Sequence, residues 1–207
     1  MMTDITAYVM RTEDWRDNYN GNTSLNDVKS TTQDIWDEYI RDYRGNYQLN
    51  LEITYYDPSS DKITTNGDLW DRAREIDSWC KNNLSDYSQK DVIIAADHWG
   101  EGSHSGAALS TAGEGGIVCV VDYNTTLDDT WQSGGHELLH THELLHMFID
   151  TNDNEHYPDE YVSGNVSVMY SPGSVTEYCN GGAPGEVVDK VSDCTKVYVR
   201  SWIDDNM

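Results

Sequence analysis

Residues 134–157 read GGHELLHTHELLHMFIDTNDNEHY, and the reading of this stretch decides the rest of the chain. Five of the seven histidines lie in it, and the pattern HELLH occurs twice, at 136–140 and at 142–146. Histidines four apart on a helix differ by about 40° around its axis, so both imidazoles of a pair point one way. Two neutral imidazoles so placed are good zinc ligands. The Glu after the first His then reaches a water that the metal activates, and serves it as general base. The two pairs are offset by six residues, about 240° around one helix, so they do not share a face.

Outward from this helix, the chain alternates strand and helix signals. ITAYVMRT at 5–12 reads as a first strand, and YQLNLEITYY at 47–56 alternates like a second. Between them, apolar residues recur at Leu25, Val28, Ile35, Trp36, Tyr39, Ile40 and Tyr43, a helix opened by Ser24 and closed by Gly45. Leu69, Ala73, Ile76, Trp79, Cys80 and Leu84 form another helical stripe. DVIIAA at 91–96 is a continuous apolar run, the mark of a strand buried on both faces. A Gly/Ser-rich loop follows, then a strand at 117–123 (IVCVVDY), the histidine helix, an irregular stretch and a last helical stripe from Val187 to Trp202. The order β-α-β-α-β-β-α, loop, α predicts an α+β fold, a twisted mixed sheet with helices packed on it. No repeat, linker or composition break divides residues 1–207. A single domain is expected, with an upper part over 1–150 and an irregular lower part over 151–207.

Composition limits the function. The 207 residues carry 37 acidic against 13 basic side chains, a net charge of -24. That balance excludes nucleic acid and anionic membrane as main partners, since both require clustered Lys and Arg. No apolar run approaches the roughly 20 residues of a membrane span. Seven Trp and 14 Tyr supply a core and argue against disorder. The start, MMTDITAYVMRTEDW, lacks the features of a signal peptide. The expectation is a secreted protein whose leader is missing, with the cytoplasm of a high-salt organism as the alternative. Asp outnumbers Glu, Lys is scarce and the charges are spread along the chain. Such spread acidity resembles proteins adapted to high salt, where self-repulsion is screened over about 3 Å at 1 M. Dialysis to about 50 mM NaCl is therefore expected to cost the protein its structure, and an unchanged circular dichroism spectrum would refute that. Of four cysteines, Cys179 and Cys194 bracket a Gly-rich stretch and can close a loop worth about 3 kcal/mol. Cys80 and Cys119 suit buried thiols equally well, so the pairing stays open.

Thirteen residues past His156 stands Met169, in SVMYSPGS. With HExxH upstream, the chain resembles the metzincin clan of zinc metalloendopeptidases. That clan joins an active-site helix bearing HExxH, a third ligand after a tight turn, and a Met-turn beneath the metal. The resemblance implies a zincin-like sheet with an antiparallel edge strand, two backing helices, the active-site helix and a C-terminal helix. It places Met169 under the zinc. If 136–140 were the site, His146 would take the third-ligand position. The helix would then have to end near Glu143, where the clan has a Gly, and a left-handed turn at Glu costs about 1–2 kcal/mol. Leu138 to Phe148 reads instead as unbroken helix. With 142–146 as the site, the helix runs to about Asp150 and stops in Thr-Asn-Asp-Asn, and the chain returns with His156. The second copy is the expected site, and His136 and His140 face away, solvated or paired with Asp128 or Asp129. Where the clan has its Gly and its third ligand, this chain has Ile149 and Asn152. The third ligand is expected to be His156, with Asp153 and Asp150 as alternatives.

The resemblance thus implies a zinc-dependent hydrolysis of peptide bonds. His142, His146 and His156 hold the metal, and Glu143 is the general base. Tyr157, Tyr161 and Tyr170 are candidates for oxyanion or substrate contact. A peptide or protein substrate adds along the edge strand 115–121, at Gly116, Ile117 and Val118. A second, structural metal is a further candidate in the loop holding Asp97, His98, Glu101 and His104. The alternatives are a metal-binding or adhesion module of the same fold with weak or no catalysis, a zinc hydrolase of a non-peptide bond, and an acidic interaction protein without a metal. Oligomeric state stays open.

Overall fold

Ile5, Ala7 and Val9 alternate with Tyr8 and Met10 along strand β1 (Thr3–Arg11), and the two sets enter two different cores. The structure, a computed structural model, describes residues 3–43, 47–57, 63–99, 106–109, 116–124, 135–149, 160–161, 165–169 and 185–207. The same division runs through β3 (Val92–Asp97) and β5 (Val118–Asp122). Val92, Ile94, Ala96, Cys119 and Val121 face one way; Ile93, Ala95, Val118 and Val120 face the other. A strand with apolar residues on both sides needs a cover on both sides. Helix α3 (Leu69–Asn83) supplies one, through Leu69, Ala73, Ile76 and Cys80. The other comes from α1 (Glu13–Asn18), α2 (Leu25–Ile35), α4 (Gly135–His146) and α5 (Asp193–Asn206).

The protein is accordingly a mixed α and β structure around a five-stranded, mostly parallel sheet in the order β2-β1-β3-β5-β4, where β2 is Leu49–Tyr55 and β4 is Gly106–Ala108. The first four strands are parallel, in register through Ala7↔Ile53, Val9↔Ile94 and Ile94↔Cys119. Only β4 is antiparallel, pairing Ala107 with Val120. A two-stranded ribbon of β6 (Glu160–Tyr161) and β7 (Asn165–Val166) stands apart from it. Among the described residues, no helix is long and apolar enough to cross a membrane.

The expected edge strand is the main correction. Val118 begins β5, which has β3 on one side and β4 on the other, so the stretch from Val118 to Val121 is an interior strand and not an edge, while Gly116 and Ile117 precede it. The edge is the three-residue β4, hidden in the Gly/Ser-rich stretch because three small residues make no apolar run. β5, wholly buried, has the continuous apolar sequence of an interior strand. Two helix limits also differ. α4 ends at His146 rather than near Asp150, and its chain tightens into i→i+3 bonds, Met147 N–H to Leu144 O at 3.1 Å and Phe148 N–H to Leu145 O at 3.0 Å. α5 starts at Asp193, where the Ser192 hydroxyl caps the Thr195 N–H, so Val187 and Val191 are buried but not helical.

Side chains fasten the layers. Ser24 and Asp27 form a reciprocal capping box at the start of α2, which runs on through a π-helical turn, Trp36–Ile40. The Trp36 indole donates to Leu49 O at 2.8 Å. Arg200 of α5 donates to the carbonyls of Arg41 at 3.0 Å and Tyr47 at 3.2 Å. Cys80 and Cys119 are free and buried, and Cys194 is disulfide-bonded, while Cys179 lies outside the described residues. Burial pushes the Cys80 thiol up to about 12 and that of Cys119 well above its ordinary value.

Candidate metal centre

Helix α4 is buried on nearly every side. Leu138, Leu139, Leu144 and Leu145 are core residues, and His140, Thr141, His142 and Glu143 are buried with them. The helix lies between α2, β4 and β5, which cover its polar as well as its apolar positions. Each polar residue on it therefore needs a specific partner. Thr141 finds the Thr32 hydroxyl of α2 at 3.1 Å.

His142 and His146 converge. Their Nε2 atoms are 3.1 Å apart, with the rings tilted at 63°. Tetrahedral zinc with Zn–N bonds of about 2.0–2.1 Å sets two ligand nitrogens about 3.3 Å apart, so the pair fits one ion with little movement. The other nitrogen of His142 makes the arrangement specific. Its Nδ1 lies 2.9 Å from the carbonyl oxygen of Val168, which can only accept, so Nδ1 carries a proton and Nε2 is the nitrogen turned toward His146. Met169, fully buried, is the next residue along and belongs to the same core cluster as Leu144 and Leu145 of α4.

Glu143 is 7 % exposed, and burial pushes its carboxyl up from 4.5 to about 8. It faces β4, where a Cβ built on Gly106 would stand 2.4 Å from its Oε1. Sequence reading missed Gly106 and the Val168 carbonyl. The one carries no side chain and the other acts through its backbone, so neither leaves a motif.

The first HELLH copy faces elsewhere, toward Tyr123. His140 is fully buried, with its Nε2 3.0 Å from the Tyr123 hydroxyl. His136 stacks on the Tyr123 ring at 4.1 Å and 11°. Trp15 and Tyr19 close the cluster around Tyr123. Desolvation holds His136 down to about 4 and His140 to about 3, so both are neutral at physiological pH. Among the described residues, His136 Nε2, His140 Nδ1 and Trp15 Nε1 are buried without a hydrogen-bond partner. Asp128 and Asp129, expected to pair with these histidines, lie outside the described residues.

Of the other expected site residues, His156, Asp150, Asp153, Tyr157 and Tyr170 lie outside the described residues, and Tyr161 is described only as a residue of β6. Among the described residues, no group of three or more His, Cys, Asp or Glu side chains is arranged to hold an ion. The loop expected to hold a second metal is different in character at its start. The Asp97 carboxylate is already saturated: it accepts from Thr12 Oγ1, from Thr65 Oγ1 at 2.9 Å, from Arg72 Nε at 2.8 Å and from His98 N at 2.9 Å. No lone pair of Asp97 remains for a cation, and the residue is a buried structural anchor. Glu101 and His104 lie outside the described residues.

No protein-family model matches the chain, and no curated protein does either. Seventy chains of known structure match it. One, from "Structure of a chaperone-substrate complex", superposes with a TM-score of 0.54 at 11% sequence identity, covering 97% of this chain and 34% of that one. This chain thus spans about a third of the length of the chain it matches, and at such identity the likeness is one of fold alone.

Proposed function

We propose that the protein is a zinc-dependent endopeptidase of the metzincin type, with its metal on the second HELLH copy. The observation that carries the reading is the convergence of His142 Nε2 and His146 Nε2 at 3.1 Å while the Val168 carbonyl holds the far nitrogen of His142. His156 is the proposed third ligand, with Asp153 and Asp150 as alternatives. When bound, zinc supplies a Lewis acid that brings the pKa of water toward about 7 and polarises a carbonyl.

The chain's own residues do the rest. The Val168 carbonyl fixes the tautomer of His142. Glu143 takes the proton of the attacking water and delivers it to the leaving nitrogen of the substrate. Met169, next to Val168, suits the place of the Met-turn. β4 ends the sheet, and among the described residues no strand pairs its outer edge. An extended peptide adding there gains main-chain hydrogen bonds with little demand on its side chains, so the proposed substrate edge moves from 115–121 to Gly106–Ala108.

Elemental analysis tests the frame directly. Protein purified in high salt is expected to hold about one zinc per chain, retained in His140→Ala and lost in His146→Ala. Loss in His140→Ala alone would move the site to the first copy. Bound zinc with hydrolysis of esters and none of casein or a quenched peptide would favour a hydrolase of another bond. Zinc with neither activity would favour a binding module.

A further inference from the structure

We propose that Gly106 is a positioning residue for the general base, and that the absence of a side chain at this one edge position gives Glu143 its place. This rests on the endopeptidase reading for its catalytic consequence, but not for the contact itself. Gly106 opens β4 and pairs with Val121, so its backbone is fixed by the sheet. A Cβ on it would lie 2.4 Å from Glu143 Oε1 and 2.7 Å from both Cδ and Cγ. Real Cβ atoms do not approach heavy atoms that closely, and three atoms of one side chain would be struck together.

The helix that carries Glu143 cannot retreat freely, so any movement falls on the side chain. It is packed on nearly all sides, with Thr141 tied to Thr32 and His142 tied to the Val168 carbonyl within two residues of Glu143. A methyl at position 106 therefore turns the carboxylate out of its groove instead of shifting the helix. Among the described residues the carboxylate accepts no hydrogen bond, so it is held by space and not by a donor. The neighbouring Ala107 and Ala108 carry a Cβ without such a clash, which confines the requirement to one position.

A double-mutant cycle tests this. Gly106→Ala is expected to lower kcat about 100-fold with KM little changed and zinc content kept, since a displacement of about 1 Å at a reacting group has that cost. In a Glu143→Ala background, which removes the Cγ that stands 2.7 Å from the new methyl, Gly106→Ala is expected to change the residual rate by less than about threefold. Equal losses in both backgrounds, or activity kept within about threefold in Gly106→Ala, would overturn the proposal. Thermal unfolding reads the contact without any activity. Gly106→Ala should lower Tm when Glu143 is present and leave it unchanged in Glu143→Ala. If wild type hydrolyses nothing but this stability coupling holds, the endopeptidase reading fails and the steric pairing stands. If the coupling is absent, the pairing fails whatever the activity.

Discussion

Glu143→Gln is expected to keep its zinc and lose about 10²–10⁴-fold in kcat/KM against a quenched peptide. Gln fills the same space beside Gly106, so the groove between α4 and β4 keeps its shape, but an amide takes no proton from water. The histidines do not depend on this carboxyl for orientation. His142 is held by the Val168 carbonyl, and His146 faces His142. Elemental analysis beside kinetics separates the two roles, and retained hydrolysis would remove Glu143 from the mechanism. The same substitution has a second readout in metal-free protein. Burial raises the Glu143 carboxyl from 4.5 to about 8, so across that window the fold keeps a proton that the unfolded chain releases. The stability of the metal-free wild type falls as pH rises through the window. Glu143→Gln lacks this loss, so its advantage in Tm should grow from about pH 4.5 to pH 8 and then level off. An advantage flat across pH would contradict the burial of an ionisable group there.

Arg72→Met is expected to have the largest effect on stability, about 3–5 kcal/mol, because it leaves a buried carboxylate without its counter-charge. Asp97 is fully buried, and the Arg72 guanidinium meets it at 2.8 Å, reaches Asp14 at 3.2 Å and lies 4.7 Å from the ring centre of Trp99. The loss corresponds to roughly 6–20 °C in Tm for a chain of this size. Arg72→Met with Asp97→Asn should recover part of it, since the remaining amide still meets the Thr12 and Thr65 hydroxyls. A cost below about 1 kcal/mol for Arg72→Met would mean that the pair is not the anchor its geometry describes.

The sequence disclosed what repeats at a regular period. Val92–Asp97 and Val118–Asp122 are continuous apolar runs, and both are buried strands. Ser24 and Ser192 cap helices through their hydroxyls; the first was legible, but the second was masked by Val187 and Val191, which share the helical spacing from outside the helix. The histidine pair was legible because side-chain chemistry at spacing four has few other uses. What stayed hidden acts through backbone or empty space. β4 is three small residues, Val168 contributes a carbonyl, and Gly106 contributes the lack of a Cβ. The surroundings of the first HELLH copy were not legible, because Tyr123, which meets His140 and stacks on His136, lies 13 residues upstream of His136, just past β5.

The two free cysteines among the described residues equip the protein with its own reporters of breathing motion. Alkylating reagents are attacked by the thiolate, so a buried thiol raised in pKa is nearly inert to them. Cys80 sits in the layer beneath α3, and Cys119 in the opposite layer between the sheet and α4. Each becomes reactive only when its own layer opens, so labelling rates followed by mass spectrometry time the two halves of one molecule separately. Zinc that braces α4 should slow the Cys119 clock and leave that of Cys80 to run as before.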